Sequence, residues 1–118
     1  IVVNPIYFDF DKSNIRTDAE YELEKVIDIL RLYPNMTIKV ESHTDSRGSD
    51  RYNLKLSNQR ATSSRDYIVS RGIDSNRIES AIGFGETQLI NRCDGSVKCT
   101  EEDHQLNRRT QFIIIKKD

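Results

Sequence analysis

Between Ala19 and Leu30 the apolar residues Ala19, Leu23, Val26, Ile27 and Leu30 return every three or four positions, the spacing of one helix face. Thr17 ahead of them and Glu20 three residues on fit a capping box, and Pro34 bars extension beyond Tyr33. Glu22, Glu24, Lys25, Asp28 and Arg31 fall on the other face and read as solvated. The period then changes to two. Met36, Ile38 and Val40 alternate with Thr37, Lys39 and Glu41, a strand that runs into a polar loop at 44–48.

The same patterns divide the rest of the chain. Ile1 to Phe10 is rich in Ile, Val, Tyr and Phe and suits a first strand, with Pro5 keeping its early part at a sheet edge; Asp11 to Asn14 forms a turn. A second helix is expected from about Asp50 to Arg71, turning Leu54, Ala61, Tyr67 and Ile68 to the core and ending at Gly72. Arg77 to Gly83 reads as a third strand, with a sharp turn at Gly83-Phe84-Gly85. Thr100 to Asp103 caps a short helix ending near Asn107, and Thr110 to Lys116 reads as a strand buried on both faces. The order β-α-β-α-β-(loop, short helix)-β points to right-handed βαβ units.

A chain of 118 residues fits one domain spanning 1–118. Its net charge of −1 excludes a polyanion binder, which needs a strong basic excess on one face; Arg108-Arg109 and Lys116-Lys117 are too short to supply one. No run approaches the ~18 apolar residues of a membrane span, so no direct membrane contact is expected. A start at Ile1 in strand-like sequence suggests an excised domain, with any anchor or export signal elsewhere in the parent protein.

Candidate chemistry gathers between Glu41 and Ala61. Asp45 stands at the carboxyl end of the second strand, where α/β sheets present ligand-binding groups. Asn53, Leu56 and Arg60 follow at i, i+3 and i+7, so an amide, an apolar contact and a guanidinium share one helix face within about 60°. A fixed carboxylate beside a fixed guanidinium suits a ligand with an ammonium and a carboxylate close together, as at the end of a free amino acid. The pair could equally close on itself as a salt bridge. Asp11 reads from its residues as either a plain Asx-turn or a carboxylate facing the same end of the sheet as Asp45.

HTD at 43–45, Gly48, YN at 52–53, LS at 56–57, RA at 60–61, GFGE at 83–86 and NRR at 107–109 together resemble the OmpA-like peptidoglycan-binding domain of outer-membrane protein A, Pal and MotB-type proteins. The match runs from Tyr7 through the last strand. It implies an α+β fold in which a four-stranded mixed sheet is covered by helices and the last strand inserts between the first two. It implies a clamp for meso-diaminopimelate of the peptidoglycan stem peptide, with Asp45 taking the ammonium and Arg60 the carboxylate. Asn53, Thr44, Asp11, Leu56 and Arg108 are then expected as secondary contacts, and the 11–14 loop as one pocket wall. No cofactor or metal is implied, and the expected setting is the Gram-negative periplasm, tethering the outer membrane or an envelope protein to the wall. Ser42 stands where Gly often precedes HTD, and Gln59 where Arg often precedes RA; neither bears on the two charges.

Cys93 and Cys99 flank Asp-Gly-Ser-Val-Lys, a turn that can bring them to disulfide separation. With His104 they would make only three metal ligands, so a disulfide is expected, contributing about 2 to 3 kcal/mol. Its loop is longer than the family usually carries. Lying after the GFGE turn, it is expected to rigidify its own segment without building the pocket.

Two other classes compete. His43, Asp45, Arg60 and His104 could serve an enzyme, but no Ser or Cys stands in a nucleophile elbow and GFGE lacks the third Gly of a phosphate loop; His43 is expected to be a structural hydrogen-bonding residue. An envelope protein-interaction module with a lost pocket is the remaining alternative, and the presence of both Asp45 and Arg60 argues against that loss.

Overall fold

A computed structural model describes residues 3–116. The sheet contains β1 (Ile6–Tyr7), β2 (Thr37–Ser42), β3 (Ile78–Gly83) and β4 (Arg109–Lys116) in the order β1-β4-β2-β3. The last strand lies between the first two and is antiparallel to both, while β2 and β3 run parallel. The sheet is therefore mixed, and the polar ends of β1 and β2 face the same way. Helices α1 (Thr17–Leu32) and α2 (Asp50–Ser70) follow the first two strands, and a short α3 (Glu101–Gln105) precedes β4.

The apolar stripe of α1 is buried as its spacing predicts, against Ile6, Phe8, Met36, Ile38, Val40, Ile78 and Phe112. The inner face of α2 is different. Asn53, Leu56, Ser57, Arg60, Ala61, Ser64 and Ile68 are its buried residues, and most are small or polar. Polar groups there are paired within the interior: the Ser64 hydroxyl donates to the Arg60 carbonyl at 2.8 Å and lies 3.1 Å from the Thr110 hydroxyl, which in turn lies 2.6 Å from Ser42 Oγ. Small side chains let α2 approach closely. A Cβ at Gly83 would lie 2.3 Å from the α2 backbone at Ser57 and Asn58, so only glycine fits that end of β3.

Several expectations need correction. Thr17 does not cap α1: Arg16 is the N-cap residue, without a side-chain cap bond, and forks onto Asp18 at 3.0 and 2.8 Å instead. Leu54 is exposed, because its α2 position is one residue off the buried row set by Asn53 and Ser57. The β4 strand is buried on one face only, since both long helices pack on the same side and Ile113 and Ile115 stay exposed. The first strand is reduced to Ile6–Tyr7, with Ile1 and Val2, like Lys117, outside the described residues. Thr100, in contrast, caps α3 through a full capping box with Asp103.

Candidate functional site

The β2 strand hands the chain to a loop whose first residues are all buried: His43, Thr44 and Asp45. Thr44 N–H donates to the Gly85 carbonyl at 2.9 Å, fixing the loop to the turn after β3. Asp45 then closes an Asx turn, its Oδ1 accepting from the Arg47 backbone N–H at 3.0 Å. Ser49 caps α2 by accepting from Tyr52 N–H, which sets the register of the buried row.

All seven residues expected from the sequence, Asp11, Thr44, Asp45, Asn53, Leu56, Arg60 and Arg108, line one cavity of about 70 Å³ beside this loop. Phe10, Arg47, Gly48 and Tyr52 complete its wall. Asp11 enters with φ at 60°, a left-handed conformation that Asp tolerates better than most residues. Asn53 ties the loop together, its amide donating to the Arg47 carbonyl at 3.1 Å and to Glu86 Oε1 at 3.0 Å.

Arg60 and Asp45 make no ion pair with one another. Fully buried, Arg60 donates to three backbone carbonyls: Nε to Lys12 at 2.9 Å, Nη1 to His43 at 2.9 Å and Nη2 to Asp9 at 3.1 Å. A guanidinium has five N–H donors, so two remain. Burial, with the nearby positive Arg108 as a second cause, pushes its pKa down to about 10, and it stays charged at neutral pH. No carboxylate bonds to it among the described residues.

Asp45 is paired elsewhere. Its Oδ2 accepts from Arg47 Nη2 at 2.8 Å and from Arg108 Nη1 at 3.2 Å. Burial raises its pKa, but the Arg47 side chain and amide, together with Arg108, outweigh burial and hold the carboxyl below its ordinary range. Arg108 is no surface charge: it is buried, donating Nε to the Phe8 carbonyl at 2.8 Å and Nη1 to Glu101 at 2.9 Å. Arg47 also reaches Glu101, at 3.0 Å, and stacks over the Phe10 ring at 4.3 Å. The Asp45–Arg60 salt bridge that the sequence left open does not form; Asp45 is paired instead with Arg47 and Arg108.

Arg47 and Glu101 are the members of this charge cluster missed from the sequence. The Asx turn at Asp45 was the usable signal for Arg47, because it brings residue i+2 back to its own carboxylate. Glu101 lies far along the chain and carried no local signal.

Cys93 and Cys99 form a disulfide. Its loop supplies no residue to the cavity wall but borders the site: Ser46, next to Asp45, donates its hydroxyl to the Cys93 carbonyl, and Glu101 follows Cys99 by two residues. His43 departs from expectation. Both ring nitrogens are buried without a hydrogen-bond partner, and the ring stacks on Phe84 at 5.6 Å. Burial, then the charge of Arg109, pushes its pKa down to about 4.

Comparisons with known proteins agree with this fold. A sequence model of the OmpA family matches residues 7–101. The chain is 39% identical over 109 residues to a peptidoglycan-associated lipoprotein of Rhizobium meliloti, covering 92% of this chain and 58% of that protein. The crystal structure of the peptidoglycan-associated lipoprotein from Burkholderia pseudomallei superposes with a TM-score of 0.82 at 25% identity, over 94% of this chain and 89% of that one. The C-terminal domain of Helicobacter pylori MotB shares the fold, with a TM-score of 0.83 at 20% identity over 98% and 86% of the two chains. The chain spans less than two thirds of the length of such curated relatives.

Proposed function

The chain belongs to the OmpA family, and on that premise we propose that it binds peptidoglycan non-covalently by clamping the meso-diaminopimelate of the stem peptide. One observation carries this reading. A buried guanidinium with two free N–H donors and no carboxylate of its own shares a cavity with a buried carboxylate, so the ligand that completes the site brings an anionic group to Arg60 and an ammonium to Asp45. The free end of diaminopimelate has both on one carbon. Thr44, Asn53, Asp11, Leu56 and Arg108 frame that end, and Phe10 and Tyr52 form the mouth.

On this reading the domain acts as a binding module and not as an enzyme: the His43 ring is packed away with neither nitrogen hydrogen-bonded, so it is not presented to the cavity as an acid or base. Within a larger envelope protein it would tether the outer membrane to the wall from the periplasmic side. No helix among the described residues is long and apolar enough to cross a membrane. Sedimentation with insoluble diaminopimelate-type peptidoglycan tests the reading. The protein should pellet with the sacculi, and soluble stem peptide should release it. Failure to pellet would favour a protein-interaction module with an inactive pocket.

A further inference from the structure

We infer that Arg47 is a built-in stand-in for the ligand's ammonium, and that its exchange between Asp45 and Glu101 sets the specificity of the site. This rests on the diaminopimelate reading. The position at Asp45 Oδ2 that a ligand ammonium would take already holds Arg47 Nη2 at 2.8 Å. The occupant is a cation of the same donor type, covalently part of the loop.

Its surroundings suit departure. The Arg47 side chain is 36% exposed, against 4% for Asp45 and for Arg108, so it alone of the three can swing out without opening the core. Glu101, 60% exposed, accepts two further bonds from it at 3.0 and 3.3 Å, and Phe10 lies under its plane. A guanidinium leaving Asp45 thus keeps a carboxylate and an aromatic face. Its Nε is buried with no partner in the resting arrangement, a donor that turning outward would return to water. Arg108 cannot make the same move, because the Phe8 carbonyl holds its Nε.

Specificity follows from charge. With Arg47 seated, Asp45 is neutralised and the cavity offers its open donors at Arg60. A ligand carrying only a carboxylate satisfies Arg60 but cannot displace Arg47. One carrying an ammonium beside the carboxylate replaces Arg47 like for like, and Arg47 then closes over it from Glu101.

Calorimetric titration with free meso-diaminopimelate, and with its N,N′-diacetyl derivative, which keeps both carboxylates and has no ammonium at either end, tests this on the wild type, Arg47→Ala, Glu101→Gln and the double variant. Removing the competitor should tighten diaminopimelate binding about two- to fivefold, the worth of a partly exposed ion pair. Removing the alternative seat should weaken binding by a similar factor in Glu101→Gln, and the double variant should bind like Arg47→Ala. The diacetyl ligand should gain nothing from Arg47→Ala. Merely structural roles would instead lower affinity in both single variants. If the wild type binds and Arg47→Ala binds equally or more weakly, the exchange is overturned while the diaminopimelate reading stands. If none of the proteins binds diaminopimelate, that reading falls and the exchange with it.

Discussion

Arg60 Nη1 donates to the carbonyl oxygen of His43 at 2.9 Å, two residues before Asp45. The guanidinium proposed to read the ligand's carboxylate therefore also pins the strand end that presents the group proposed to read its ammonium. The two variants at this site should fail differently. Arg60→Ala should abolish sedimentation with peptidoglycan and also lower stability by about 2 to 4 kcal/mol, since the carbonyls of Asp9, Lys12 and His43 lose their donor. Asp45→Ala should abolish sedimentation at a cost of only about 1 kcal/mol, because Arg108 keeps the Phe8 carbonyl and Arg47 keeps Glu101. Thermal denaturation of both proteins checks the difference. An Arg60→Ala protein that melts with the wild type would contradict the backbone clamp.

His43 should make the domain acid-sensitive. Its pKa is about 4 in the fold, below the ordinary value near 6.5, so between those values the unfolded chain binds the extra proton. Stability from this group is present above pH 6.5 and is lost as pH falls towards 4, by a sum on the order of 3 kcal/mol. Asp45, with its lowered pKa, loses its contribution at lower pH still as its own carboxyl protonates. Melting curves of the wild type and His43→Phe at pH 7 and pH 4.5 separate the two groups. The variant should lose much less between these pH values; an equal loss would place the acid sensitivity elsewhere.

The disulfide loop touches the site through the Ser46 hydroxyl and the Cys93 carbonyl, and through Glu101 just past Cys99. Replacing both cysteines by serine should lower stability by about 2 to 3 kcal/mol and weaken peptidoglycan binding without abolishing it. Alkylation with mass spectrometry on the native protein gives the thiol count, expected to be zero. Unchanged affinity in the double serine variant would mean that Ser46 and Glu101 hold their places without the bond.

What could be read from the sequence divides along physical lines. Strand and helix positions followed from local periodicity, and Asp45, Asn53, Leu56 and Arg60 followed from one strand end and one helix face. The insertion of β4 between β1 and β2 came from the family resemblance, because nothing in the spacing of apolar residues encodes strand order. Leu54 and the far face of β4 were misjudged for one reason: an apolar residue was taken as buried, whereas on α2 the buried row is largely polar and on β4 one face has no helix over it. Arg108, the long-range partner of Asp45, was hidden by distance, since it and the Glu101 that it also holds come to the loop only when β4 enters the sheet centre.

The most direct test of the site is a calorimetric titration of the wild-type domain with two stem peptides, identical except that one carries meso-diaminopimelate and the other lysine at the third position. Lysine keeps the side-chain ammonium but lacks the carboxylate, leaving the two free donors of Arg60 buried and unpaired. The diaminopimelate peptide should bind at least about a hundredfold more tightly, the difference expected when a buried polar group loses its ligand partner. Comparable affinity for the two peptides would contradict the reading of Arg60 as the carboxylate receptor.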